Sequence, residues 1–256
     1  PDDPSRTAYY GNITQMDHAF GRLLATLDEL KLADDTLVWF TSDNGPARTK
    51  WHNAGSAGPL REYKGHVYEG GIRVPGIVRW PKRIAAGKES DVPVCGTDFL
   101  PTVAAAAGFA APADRVIDGE NVLPLLTGGE FRREKPLYWQ FNYAQSEPKV
   151  ALRAEDWKIV ARLTELPQNR SALDETSNHA LKHAEPTGFE LYNLRTDVGE
   201  RNDLATAEPT KLAELQAALV ARFHEVQAET PTWPAFTDPG YEAKRIEWPT
   251  YVAKPL

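Results

Sequence analysis

Cysteine is almost absent from this sequence, with Cys95 standing alone. One thiol excludes an internal disulfide and any cysteine-built metal site, and it leaves the redox compartment open. Long hydrophobic runs are missing too, since no stretch approaches the roughly 18 apolar residues of a membrane span. Basic residues are outnumbered, with 29 Lys and Arg against 36 Asp and Glu and a net charge of −7. That balance argues against a general nucleic-acid binder, whose footprint is a basic face. It leaves room for a small anionic substrate, because a focused positive site can sit inside an acidic protein. Neither an initiator methionine nor the apolar core of a signal peptide opens the chain, which starts PDDPSRTAYY. The expectation is a processed or truncated start.

What is present is globular. The 256 residues are 41% hydrophobic and 25% charged, near the averages for soluble domains. That length suits one large domain or two modest ones. No internal repeat or low-complexity tract interrupts it.

The chain is organised around Leu37–Gly45, LVWFTSDNG, with Lys64 following in REYKGHVYEGG. A β-branched and aromatic run that ends in an acid, an amide and a glycine is how a buried strand delivers oxygen ligands at its carboxyl end. Asp43 and Asn44 are donors suited to a hard cation such as calcium or magnesium. The alternative is a plain Asp-Asn-Gly turn. Lys64, fixed near a dication, would grip the anion that the metal polarises. A unit charge pair at about 4 Å is worth roughly 4 kcal/mol at an effective dielectric near 20. His66, two residues on, would share the face of Lys64 on a strand and donate a proton to a leaving group; a hydrogen-bonded structural histidine is the competing reading.

Around that centre the elements fall in order. Tyr9, Ile13, Met16, Phe20, Leu23, Leu24, Leu27 and Leu30 recur at helical spacing, predicting a long helix with one buried stripe over Thr7–Leu32. LADDT turns the chain into the strand TLVWFT. A long helix feeding such a strand reads as part of a doubly wound α/β sheet. Pro46–Gly58 is a loop carrying Arg48, Lys50, Trp51 and His52, of a length more often functional than idle. IRVPGIVRW is a strand edged at Pro75, and Gly70 and Gly71 mark a tight backbone approach before it. DFLPTVAAAA is a helix capped by Thr97 or Asp98 and ended by Gly108. DGENVLPLLTGG holds a short helical piece. LYWQF, VALRA, WKIVARL and ELYNL are short strands, with a polar excursion over Pro167–Gly188. A helix opens at Pro209 with the stripe Leu212, Leu215, Leu219, Phe223 and Val226. The charged connector FRREKP places a domain boundary near it. Residues 1–133 form an α/β core portion, and 134–256 a small antiparallel sheet with one helix and an irregular tail bearing Trp233 and Trp248.

TSDNG, AGPLREYKGHVYEGGIRVPGIVRWP, TDFLPTVAAAAG, ALRAEDWKIV and ELYNLRTDVGERNDLA, in this order, resemble the later half of type I sulfatases of the alkaline phosphatase superfamily. The opening helix, with MDHAFGRLLATLDEL, is similar to the one that precedes the same motif there. The resemblance implies an alkaline-phosphatase-like doubly wound sheet, of which this chain holds the remainder, followed by the small antiparallel-sheet-plus-helix subdomain. It implies Asp43 and Asn44 as ligands of a divalent cation, usually calcium, and Lys64 as a contact to the sulfate group. Catalysis in that family uses a formylglycine made from Cys or Ser in C/S-x-P-S/A-R. No such motif exists here. Cys95 lies in VPVCGTDF and reads as a small buried hydrophobe. Asp2, in DDPSR, occupies the nucleophile position of an imitation of the motif and cannot become formylglycine.

The expectation is therefore a sulfatase, represented by a portion that lacks its nucleophile and is inactive alone. The implied substrate is a sulfate ester, on carbohydrate if Arg48, Trp51 and His52 line a sugar rim. The parent location implied by resemblance is periplasmic or secreted. The rivals are a phosphoesterase or phosphonate monoester hydrolase of the same superfamily, and a non-catalytic anion- or sugar-binding module using the Trp233 and Trp248 tail.

Overall fold

The computed structural model describes residues 4–48, 54–141, 147, 149–164, 179–180 and 182–230. Helix α1 (Pro4–Glu29) leads through a 3₁₀ turn at Ala33–Asp35 into strand β1 (Val38–Thr41). A one-turn helix α2 (Glu69–Ile72) precedes β2 (Gly76–Arg79), which starts just after Pro75. Helices α3 (Phe99–Ala106) and α4 (Leu123–Leu126) follow. Strands β3 (Leu137–Phe141), β4 (Lys149–Ala154), β5 (Trp157–Leu163) and β6 (Pro186–Asn193) come next, then the long helix α5 (Pro209–Glu229). Among the described residues the protein is a mixed helix and sheet structure with two antiparallel sheets, β1-β2 and β3-β4-β5-β6.

Alternation builds the four-stranded sheet, because successive side chains leave opposite faces of a strand. Val150, Leu152, Ile159, Ala161 and Leu191 line one face and meet Leu215, Leu219 and Phe223 of α5. The stripe expected on that helix is therefore the one that packs. Ala151, Val160 and Tyr192 line the other face, covered by Val67 and Tyr68 from the segment before α2. β4 and β5 join through a tight turn at Glu155 and Asp156 with Glu155 at φ +53. β6 begins at Pro186, inside the stretch expected to be a polar excursion. Its pairing with Leu163 and Arg162 is long-range and leaves no mark in local composition.

Three expectations about burial need correction. The stripe of α1 does not sit in a core: Phe20 touches Phe40 with ring centroids 5.1 Å apart, but Met16 is 51% exposed and Leu30 61%. β1 is half-buried over Val38–Phe40 and exposed at Thr41, because among the described residues it pairs only with β2. Cys95 is half-buried, with Sγ 3.2 Å from the Thr97 hydroxyl. The capping expectation for α3 also changes. The Asp98 side chain bonds back to the Cys95 N–H at 2.8 Å and pairs with Arg133 at 2.5 and 3.2 Å. Gly108, at φ +80, ends the helix as expected.

Phe223 is wholly buried between α5 and the sheet, whereas Val226, one turn on, is half-exposed. Phe223→Ala is expected to lower stability by about 3–5 kcal/mol through lost transfer energy and a residual cavity. Val226→Ala should fall well below that, and urea midpoints of the two variants provide the check.

Candidate functional site

The site forms where the end of β1 meets the segment 61–73. Asp43 is exposed and Asn44 half-buried. The Ser42 hydroxyl donates to the Asn44 carbonyl at 3.0 Å, and the Asn44 amide donates to the Gly45 carbonyl at 3.1 Å. That bond uses the amide nitrogen and leaves Asn44 Oδ1 as the side chain's donor oxygen.

Backbone contacts tie this knuckle to Lys64. The Gly45 N–H donates to the Gly71 carbonyl at 2.9 Å, the Gly70 N–H to Arg61 at 2.7 Å, and the Lys64 N–H to Pro46 at 3.1 Å. A Cβ on Gly45 would strike the carbonyl of Gly70, one on Gly70 those of Arg61 and Glu62, and one on Gly71 that of His66. The tight approach read at Gly70 and Gly71 is therefore present, and Gly45 takes part in it. Lys64 itself is exposed in a turn closed by Gly65 at φ +91. This turn replaces the strand on which His66 was to share the face of Lys64, so the alternation argument does not apply. The His66 N–H bonds to the Tyr63 carbonyl instead.

The His66 ring is largely covered, with Nε2 lacking a hydrogen-bond partner and 3.7 Å from Glu62 Oε2. Burial lowers its pKa below the ordinary imidazole range, against the pull of Glu62 and helped by Lys149 and Arg61. The ring is thus neutral at neutral pH. Arg48 is exposed and lies over Tyr63 at 5.6 Å; Lys50, Trp51, His52, Trp233 and Trp248 lie outside the described residues.

Sequence reasoning missed Arg73. It lines a cleft of about 550 Å³ with Ser42, Asn44, Gly45, Pro46 and Pro75, and sits 3.7 Å from Glu69. Its place two residues after the glycine pair was the available signal. Of the groups expected to act together, Asn44 lines this cleft with Arg73, whereas Asp43 and Lys64 are exposed outside its lining and Lys64 is tied to the knuckle through its backbone. Oxygen donors and cations of these types suit a divalent cation and an oxyanion. Calcium takes six to eight oxygens, and among the described residues no group of three or more His, Cys, Asp or Glu could hold a metal ion. Asp43 and Asn44 fit as part of such a site.

This arrangement is that of an alkaline-phosphatase-like protein. The solved structure of Ps i-CgsB in complex with k-i-k-neocarrahexaose superposes with a TM-score of 0.71 at 26% identity, over 95% of this chain and 48% of that one. Within that fold the chain belongs to the sulfatase family. The sulfatase model matches residues 2–109, and the model for the N-sulphoglucosamine sulphohydrolase C-terminal region matches 62–178. Human steryl-sulfatase is 42% identical over 98% of the chain and 44% of its own length. N-acetylgalactosamine-6-sulfatase of Canis lupus familiaris is 32% identical over 83% of the chain and 42% of its own. The chain spans about half the length of these relatives.

A depressed imidazole pKa has a stability consequence. The unfolded histidine, near 6.5, takes up protons before the folded one, so the contribution of His66 is present above 6.5 and lost as pH falls toward the lowered folded value. His66→Gln is expected to flatten the decline in urea midpoint between about pH 7.5 and about pH 5.5. An unchanged pH slope in that variant would contradict the assignment.

Proposed function

We propose that this chain supplies the later part of a sulfatase active site, acting on sulfate esters of carbohydrates, with Asp43 and Asn44 as two oxygen ligands of a divalent cation and Lys64 as the group that binds sulfate oxygen. The observation that carries it is the backbone tie between the two parts, Gly45 to Gly71 and Lys64 to Pro46, in a chain of the sulfatase family. The carbohydrate reading draws support from the neocarrahexaose bound to the structural relative.

The division of labour follows from the charges. The Lys64 ammonium orients the sulfate and draws charge from its non-bridging oxygens. A bound cation, calcium in this reading, would stabilise the charge that grows on sulfate oxygen in the transition state. Neutral His66 serves as a hydrogen-bonding group toward the ester and not as an imidazolium acid. The nucleophile, a formylglycine in this reading, is contributed by a preceding segment of the parent protein. The uncovered apolar residues of α1 and β2, including Ile13, Met16, Leu23 and Ile77, form the surface against which that segment packs. Residues 1–133 then belong to the catalytic core and 134–256 to a carboxyl-terminal subdomain. The parent would act in the periplasm or outside the cell; no helix among the described residues is long and apolar enough to cross a membrane.

The test uses the chain continuous with its amino-terminal half. Lys64→Ala and Asp43→Asn are each expected to lower kcat/KM for an aryl sulfate by about 10²–10³, the scale of losing one electrostatic contact to the transition state. A chelator should remove activity, and aryl phosphate should turn over more slowly than aryl sulfate. Faster turnover of phosphate, or full activity with Lys64→Ala, would overturn the reading. Hydrolysis of a steroid sulfate with no turnover of sulfated sugars would overturn the carbohydrate part alone.

A further inference from the structure

We propose that the buried Lys158–Glu200 pair is a positioning device for the Asp43–Asn44 knuckle and Lys64, acting through Glu69 and the two glycines that follow it. The functional half of this inference rests on the reading of Lys64 and Asp43 given above.

Lys158 lies on β5 with its side chain wholly buried. Its Nζ stands 2.9 Å from Glu69 Oε1 and 2.8 Å from Glu200 Oε1. Glu200 does a second job, since its Oε2 accepts the backbone N–H of Glu69 at 2.6 Å. Glu69 also lies 3.7 Å from the guanidiniums of Arg73 and Arg153, while Glu200 both pairs with the lysine and fixes the main chain of the residue immediately before Gly70. From there the path to the site is backbone alone: Gly70 N–H to Arg61, Gly45 N–H to Gly71, and Lys64 N–H to Pro46. With no room for a Cβ at Gly45, Gly70 or Gly71, these strands of main chain are in van der Waals contact and shift together.

Two further observations set the pair apart from an ordinary stabilising contact. Glu200 holds a left-handed backbone, φ +50, without being glycine. The strained turn is held by Asp197 Oδ2, which accepts the N–H groups of Arg201 and Asn202 at 2.7 and 2.8 Å, and such outliers cluster where placement matters. Burial also pushes the Glu200 carboxyl above its ordinary range despite the pull of Lys158. Burial therefore disfavours the charge on Glu200, and in this proposal the group is kept for the geometry it imposes on the Glu69 backbone.

Amide hydrogen exchange on this chain tests the link without catalysis. In Lys158→Met and Glu200→Ala, the amides of Gly45, Lys64 and Gly70 should exchange at least about tenfold faster, while Leu219 and Phe223 in α5 stay within about twofold of the parent. Glu200→Gln keeps an acceptor for the Glu69 N–H and should stay within about threefold. Unchanged exchange at Gly45 and Lys64, or an equal rise everywhere including outright unfolding of all three variants, would overturn the proposal. In the chain joined to its amino-terminal half, inhibition by inorganic sulfate supplies the functional arm. Glu200→Ala should weaken it about tenfold, and should add little in a Lys64→Ala background. Additive losses would reduce the pair to a structural contact. No effect of Lys64→Ala on sulfate inhibition would instead reject Lys64 as the sulfate contact, leaving the exchange result to stand by itself.

Discussion

Burying the ammonium of Lys158 is the constraint on which the carboxyl-terminal sheet depends. A charge removed from water is tolerable only when paired and hydrogen-bonded, and both partners come from distant positions, Glu69 from before β2 and Glu200 from after β6. Losing Lys158 would leave the two carboxylates facing each other without their shared cation, at a cost of about 3–5 kcal/mol. The pair therefore acts as a key: segment 66–71 can dock on β5 in one register only. Once docked, Val67 and Tyr68 cover Ala151, Val160 and Tyr192. The Tyr68 hydroxyl reaches Glu190 at 2.8 Å, and Arg61 lies over the Tyr68 ring at 3.8 Å. Burial, with Glu190 alongside, raises the pKa of both Tyr68 and Tyr192, so both hydroxyls stay protonated and able to donate.

Local patterns were legible where the packing they describe is local. LYWQF is β3 as read, and the spacing of Leu215, Leu219 and Phe223 named the buried face of α5. Patterns failed where burial is decided by a distant segment. WKIVARL is the strand expected, but nothing in its pattern marks Lys158 as buried: Val67 and Tyr68 cover its face of β5, and Glu69 pairs with it at 2.9 Å. The stripe of α1 made the opposite error: its periodicity is clear, yet among the described residues Met16 and Leu30 stay exposed. Site residues divide the same way. Asp43, Asn44 and Lys64 stand out by type and order, whereas the turn at Gly65 that carries Lys64, and the place of Arg73 in the cleft, follow from long-range backbone contacts that spacing does not encode.

The glycines leave the support of this knuckle no room for a side chain. Metal and anion groups need placement within about 0.5 Å, and side chains held by other side chains inherit the rotamer freedom of both. Here Gly45, Gly70 and Gly71 bring main chain against main chain, so the knuckle and the lysine turn share one rigid frame. The frame is in turn fixed by a sheet whose other face carries α5.

That architecture changes the meaning of the carboxyl-terminal region. Two oxygen donors are too few to hold calcium against water, which competes with its own six to eight ligands, so affinity has to come from ligands beyond Asp43 and Asn44. In the proposed reading, what this chain contributes is preorganisation: the backbone ties among Gly45, Gly71, Lys64 and Pro46 set the places of Asp43, Asn44 and Lys64 before a ligand arrives. A metal cradle assembled from two such parts gains affinity only to the extent that each is already rigid. In that reading the four-stranded sheet, which provides none of the candidate ligands, is the element that aims them.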